Sequence, residues 1–173
     1  MQTEKQFITK KVAVISIMLA VVLIASIIER MIPFDFFVPG VKLGLSNVVI
    51  LIAIYILDFR SSLTLTVLKC VVLVLLTGNI TAFLYSLSGS LSSFFIMWAA
   101  AKIFDKKKQI SPIGVSVLGA VFHNFGQIIA AAFVMGTINV AAYLPILIIS
   151  GVITGILVGV MVKLILKHLK TAL

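Results

Sequence analysis

The feature that most constrains this chain is a series of long apolar runs separated by short polar breaks. Hydrophobic residues make up 62% of the 173 positions, charged residues make up 11%, and the mean hydropathy is +1.29. A soluble domain of this length carries far more charge on its surface. Because hydrocarbon satisfies no backbone hydrogen bond, such runs predict membrane-spanning helices. We therefore predict an all-α, polytopic membrane protein with a single integral membrane domain over residues 1–173.

The polar breaks divide the chain into six predicted spanning helices. They cover residues 12–28, 43–57, 61–76, 80–104, 112–135 and 143–166. The first apolar run is longer than the apolar part of a usual signal peptide, so we expect it to stay uncleaved. The break at residues 29–42 holds two prolines and three phenylalanines, and it predicts an interfacial loop.

The positive charges indicate the orientation of these helices. With six spans, both chain ends lie on one side, and that side carries eleven of the fourteen basic residues: Lys5, Lys10, Lys11, Arg60, Lys102, Lys106, Lys107, Lys108, Lys163, Lys167 and Lys170. The opposite side carries Arg30 and Lys42. The positive-inside rule then predicts that both termini are cytoplasmic.

A polar stripe interrupts the fifth apolar run. Ser116, His123 and Gln127 are spaced to share one helix face, and Asn124 follows the histidine. Polar groups in hydrocarbon must face protein, water or a ligand, so the stripe predicts a functional site. The alternative is hydrogen bonding between packed helices.

Lys69 lies near the centre of the third predicted helix, too far from either end for easy snorkelling. An ammonium at this depth favours an anionic ligand or a water-filled cavity. The alternative is a structural ion pair, with Glu29 as the nearest plausible carboxylate. Gly151, Gly155 and Gly159 give the sixth helix a flat face, which can pack within the chain or between chains.

Several kinds of chemistry lack their residues in this sequence. There is no phosphate-binding loop for ATP and no aspartate cluster to hold magnesium on a diphosphate. Cys70 is the only cysteine, and no metal-binding spacing occurs, so we expect neither a disulfide nor a metal nor another cofactor. The lysines flank apolar runs, which favours topology over nucleic-acid binding. We therefore expect a binding or transport protein and not an enzyme.

Three segments resemble the Gx transporter family, which is often labelled heptaprenyl diphosphate synthase component I. They are Pro39–Asn47, Ser86–Gly89 and Ser111–Gln127, and the resemblance covers most of the chain. The family is similar to the S components of energy-coupling factor (ECF) importers, which bind a substrate with six helices and no ATPase domain. The family usually has an arginine where this chain has Lys69; the charge is kept, but bidentate recognition is weakened.

The resemblance implies a substrate-binding S component in a bacterial cell membrane. Ser16 and Ala20 on the first helix would dock on a transmembrane coupling subunit whose ATPases are separate chains. The loop Arg30–Lys42 would cover an outward-facing pocket, and the protein would topple in the lipid to release its cargo. The implied ligand is a small anionic or amphipathic compound, such as an isoprenoid- or quinone-related precursor or a vitamin. The implied substrate-binding residues are Lys42, Asn47, Lys69, Ser86, Ser88, His123, Asn124 and Gln127.

Two other functions stay open. The chain could be a membrane scaffold or accessory subunit for prenyl diphosphate or quinone synthesis, which predicts copurification with a soluble synthase. An integral membrane enzyme is disfavoured because the acid, base and metal groups are missing. Lys42 is open as well, because a single loop lysine is as well explained by solvation as by a ligand.

Overall fold

The structure is a computed structural model that describes residues 2–31, 44–103 and 110–172. Within these ranges the chain forms six α-helices and no strand. A short 3₁₀ helix over Ile138–Tyr143 precedes the last α-helix. The α-helices are α1 (Gln2–Met31), α2 (Leu45–Ile56), α3 (Phe59–Thr77), α4 (Ile80–Ile103), α5 (Pro112–Met135) and α6 (Leu144–Ala172). The predicted all-α polytopic fold is confirmed.

Five of the described helices are long and apolar enough to cross a membrane, and α2 is shorter. Its 12 residues extend about 18 Å, against about 30 Å for a bilayer's hydrocarbon core. This helix lies at the centre of the bundle, where it contacts α1, α3, α4 and α6. Every residue from Val48 to Ile54 is buried. An apolar helix that is buried on all sides is a core helix, so α2 is the helix around which α1, α3, α4 and α6 pack, while α5 packs on α4 and α6.

Helix boundaries follow local signals in the sequence. Asp58 caps α3 by accepting a hydrogen bond from the Ser61 amide, and Ser111 caps α5 in the same way just before Pro112. Gly78 ends α3 with a φ of 64°, a conformation that favours glycine. α1 begins ten residues before its apolar run, because polar residues such as Gln and Lys support a helix as well as apolar ones do.

The glycine face of α6 packs against α5 within the chain. A Cβ added at Gly159 would lie 2.5 Å from the Ile113 Cα, and one added at Gly155 would lie 2.7 Å from the Val117 Cα. The absence of side chains therefore lets the two helix backbones approach closely, as in other small-residue membrane interfaces. Of the two packing modes left open by the sequence, the structure shows the one within the chain.

Two polar contacts fix α1 against its neighbours. At one end the Lys11 ammonium lies 2.8 Å from an Asp58 carboxylate oxygen, in the turn before α3. At the other end the Glu29 carboxylate accepts a hydrogen bond from the Gly44 amide, just before α2. We call the first of these the basic end, because Lys11, Arg60 and Lys102 all lie there; that it faces the cytoplasm is still a prediction.

The Lys11–Asp58 pair predicts a pH dependence of stability. The hydrogen bond from Lys11, followed by those from Ser61, holds the pKa of Asp58 well below its usual 3.8. A lowered carboxyl pKa stabilises the fold above the usual value, and this contribution is lost as pH falls toward the folded-state pKa. The two side chains are 35% and 49% exposed, so we expect only about 0.2–1 kcal/mol.

Asp58→Asn isolates this charge because asparagine is also a good helix cap. We expect the variant to unfold at a lower temperature than the wild type near pH 7, and the difference to shrink below about pH 4. Thermal unfolding in detergent across this pH range measures both. A difference that grows on acidification contradicts the assignment.

Candidate ligand site

The centre of the candidate site is the buried side chain of Lys69 on α3. This lysine is only 3% exposed, and its Nζ donates a hydrogen bond to Ser46 Oγ on α2 over 3.2 Å. It lies eight residues before the end of α3 at Thr77, about 12 Å along the helix. A buried ammonium at this depth is costly unless a charge, water or ligand compensates it.

Lys69 belongs to a polar face of α3 that is turned toward the interior. Thr66 and Ser62, one and two turns closer to the basic end, are also buried. Ser62 Oγ donates to the Ala53 carbonyl of α2 over 3.0 Å, and Thr66 Oγ1 donates to the Ser62 carbonyl over 2.8 Å. These two hydroxyls are satisfied by backbone, so the structure supplies their hydrogen bonds without a ligand.

Ser86 brings α4 to the same level as Lys69. Its Oγ lies 3.7 Å from the Sγ of Cys70, the residue that follows Lys69. One turn further along α4, Ser90 Oγ is buried without a hydrogen-bond partner among the described residues, and so is Ser93 Oγ. Buried hydroxyls in this state commonly bind water or a ligand. The face of α4 near Lys69 therefore has unused hydrogen-bonding capacity.

His123 and Gln127 reach α4 at Gly89. A Cβ at Gly89 would lie 2.9 Å from Gln127 Cγ and from the His123 carbonyl oxygen, and 3.0 Å from His123 Cε1. Ser86, which lies near Lys69, and Gly89, which contacts His123, are three residues apart on α4. The groups around Lys69 and around His123 therefore lie on adjacent faces of this helix. The structure thus places these predicted residues around one segment of α4.

Ser88 and Asn124 make contacts between helices. Ser88 Oγ donates to the Gly126 carbonyl over 2.7 Å, joining α4 to α5. Asn124 Nδ2 donates to the Leu147 carbonyl over 2.5 Å, joining α5 to α6. Asn124 also packs against Gly151, where an added Cβ would lie 2.8 Å from Nδ2. Both contacts are of the interhelical kind that the sequence allowed as an alternative.

The remaining predicted residues are separate from this group or lie outside the described ranges. Asn47 is half-buried on α2, beside Gly44. Ser116, which shares the stripe with His123, lies against Gly159 at the α5–α6 contact, closer to the basic end. Lys42 and residues 32–42 of the predicted covering loop, Arg30–Lys42, lie outside the residues that the structure describes.

Three contributors to the site were not singled out by sequence reasoning. Ser46 supplies the hydrogen-bond acceptor for Lys69, Gly89 admits His123 and Gln127, and Glu29 binds the first turn of α2. Glu29 was considered only as a partner for Lys69. Ser46 lies in the segment Pro39–Asn47, so the family resemblance of this segment was the signal by which the sequence could have identified it. In the described ranges no three His, Cys, Asp or Glu side chains come together.

Comparison with known proteins identifies the family. A family profile described as Heptaprenyl diphosphate synthase component I matches residues 18–165. The chain belongs to this family. No curated protein and no solved structure matches it. The match runs from the middle of α1 to α6, so every element of the candidate site lies within the component I region.

A substitution at Gly89 tests whether the close contact between α4 and α5 forms the site. Gly89→Ala places a methyl against the His123 carbonyl, which is backbone and cannot rotate away. We expect the helices to separate, with a loss of about 1–3 kcal/mol that is typical of overpacking. Leu84→Ala, which alters a 40% exposed residue of the same helix, is the control. Thermal unfolding in detergent measures both, and equal melting temperatures for Gly89→Ala and wild type contradict the assignment.

Proposed function

We propose that this protein is the substrate-binding component of an ECF-type importer that captures a small anionic or amphipathic compound. The observation that carries the proposal is the ammonium of Lys69, which is buried at mid-bundle beside Ser46. A buried positive charge with neighbouring hydroxyls is suited to bind a carboxylate or a phosphate. Such a site can hold a ligand without transforming it.

The surroundings of Lys69 support this proposal. Cys70 and Ser86 bring polar atoms from α3 and α4, the buried hydroxyl of Ser90 has unused capacity, and His123 lies one helix further. Ligand pockets typically combine an apolar wall with a few polar groups of this kind. His123 is the only histidine among the predicted pocket residues. The fifth helix contains no Asp or Glu that could act with it as an acid–base pair. We therefore propose binding and delivery, with no chemical step on the ligand.

The exposed side of α1 supports docking on a second membrane protein. Ser16 and Ala20 are both exposed, four residues apart, while Val22 and Ser26 on the other side are buried. Small residues with this spacing let another helix approach closely. We propose that a transmembrane coupling subunit packs on this face and connects the protein to ATPases on separate chains.

A second candidate function is favoured by the family description. Component I of a heptaprenyl diphosphate synthase suggests a membrane subunit that serves a soluble prenyl synthase. This function requires a protein partner at the membrane surface and requires no ligand at Lys69. The two candidates thus differ in both their partners and the role of the buried charge.

Lys69→Met separates ligand binding from a structural ion pair. Methionine keeps the length and removes the charge, so we expect binding of geranyl diphosphate to weaken at least about tenfold, as for loss of a charged hydrogen bond. Replacing a buried charge with an apolar group is often neutral or stabilising, so we expect an unchanged or raised melting temperature. Lys69→Arg keeps the charge and retains binding, and His123→Ala weakens it.

Isothermal titration in detergent measures the binding of geranyl diphosphate, and thermal unfolding measures the melting temperature. A fall in melting temperature for Lys69→Met with unchanged binding assigns the lysine to a structural ion pair. If Lys69→Met and His123→Ala both bind as the wild type does, the site assignment is wrong.

Purification from native membranes decides between the two functions. We expect the tagged protein in mild detergent to retain a transmembrane coupling subunit and two kinds of ATPase chain, identified by mass spectrometry. Ser16→Leu and Ala20→Leu should remove these partners because leucine fills the space for the second helix. Ile17→Ala, on the same helix and 66% exposed, is the control. Recovery of a soluble prenyl synthase instead supports the scaffold function.

A further inference from the structure

The contact between Glu29 and the start of α2 lies next to the candidate ligand site. The Glu29 carboxylate accepts a hydrogen bond from the Gly44 amide, and Ser46, two residues later, accepts one from Lys69. Gly44 is the residue before α2 and Ser46 is the second residue of α2, so both contacts lie at the amino-terminal end of this helix. A carboxylate from α1 and an ammonium from α3 are therefore both bound at one end of the central helix, by residues two positions apart.

The position of Glu29 is unfavourable for α1 itself. The residue lies in the last turn of α1, where the helix dipole places partial negative charge. At the start of α2 the dipole is reversed, and an anion is stabilised by the amides that have no partner within the helix. The negative charge of Glu29 is thus stabilised by α2, in the place that an anionic ligand of Lys69 would also favour.

We propose that Glu29 is an internal anion that occupies this position in the empty protein and is displaced by the anion of the ligand. The inference rests on the proposed function, because it requires an anionic ligand at Lys69. Two negative charges in one site of low dielectric repel each other strongly, so the ligand and the Glu29 carboxylate cannot both stay at the first turn of α2. Binding therefore releases the outer end of α1 from α2.

The packing of α1 determines how this release affects the helix. In its described part, Val22 and Ser26 are the only side chains that are buried. The helix contacts α2 and α3 but none of α4, α5 or α6 extensively. Without the Glu29 contact, α1 is held by the Lys11–Asp58 pair and by the packing of Val22 with the partly buried Ile15, Met18 and Leu19, all at least seven residues before Glu29. Ligand occupancy is thereby communicated to the exposed Ser16 and Ala20 face of the same helix.

Glu29→Gln tests the competition directly. Glutamine keeps an oxygen that accepts the Gly44 hydrogen bond and removes the charge that repels the ligand. We expect geranyl diphosphate to bind the variant about 5-fold or more tightly than the wild type, within the usual range of coupling between sites. Asp58→Asn removes a carboxylate at the basic end and should leave affinity unchanged. Isothermal titration in phosphatidylcholine nanodiscs measures all three proteins.

A distance measurement tests the release of α1. Spin labels at Met31→Cys and Ile80→Cys, both exposed in the structure, report the position of the end of α1; Cys70 is kept, because at 1% exposure it is shielded from the labelling reagent. We expect the distance distribution to broaden when geranyl diphosphate binds. Glu29→Ala should show the broadened distribution without ligand, because alanine cannot hold Gly44.

The outcomes separate this inference from the function on which it rests. If the wild type binds and Lys69→Met does not, but Glu29→Gln binds equally or more weakly, the inference is wrong and the proposed function stands. If neither the wild type nor Glu29→Gln binds the diphosphate, both are wrong. If phosphatidylglycerol in the nanodisc alone broadens the distribution, the displacing anion is a lipid headgroup and the inference holds with that source.

Discussion

The burial of one ammonium group accounts for much of the local structure around it. Lys69 lies in the interior of a bundle whose neighbouring helix, α2, is apolar from Val48 to Ile54. An ammonium in such surroundings is stable only with polar partners close by. The chain supplies Ser46 on α2 directly, while Ser86 on α4 lies at the same level through Cys70. Polar residues of α2, α3 and α4 thus converge at one level of the bundle.

The helices on the other side of the site are held by a different interaction. Between α4, α5 and α6 the contacts depend on glycines, at Gly89 and Gly126 for one pair and at Gly155 and Gly159 for the other. Lipid tails are as apolar as leucine, so such helices associate through close packing and hydrogen bonds and not through hydrophobic burial. This packing leaves little freedom for the backbone that carries His123 and Gln127. The side of the candidate site that α4, α5 and α6 form is therefore closely packed.

The sequence predicted helix number, most helix ends and the central position of Lys69 because each has a local cause. Asp58, Pro112 and Gly78 act on the backbone within a few residues, and a charge within an apolar run is visible by inspection. It did not predict that α2 is the core helix. In a membrane, both lipid-facing and buried surfaces are apolar, so hydropathy does not identify which helix lies at the centre.

The same limit applies to the residues of the polar stripe. Helical spacing placed Ser116, His123 and Gln127 on one face, but a helix that packs against two neighbours uses adjacent faces for different contacts. Asn124, next to His123, bonds to α6, and Ser116 lies against Gly159. Whether a residue of α5 faces α4 or α6 is set by the glycines that allow each of these helices to approach closely. This information lies in the partner helices and is not available from α5 alone.

The charged contacts at the two ends of α1 differ in how far they are exposed to solvent. At the basic end, Lys11 and Asp58 are partly exposed, and their attraction is weakened by solvent. At the other end, Glu29 faces the first turn of a buried helix, where electrostatic interactions are stronger and more sensitive to a second charge. A charged ligand at Lys69 therefore acts on α1 mainly through Glu29. In the proposed mechanism, α1 is in this way coupled to the buried charge of Lys69.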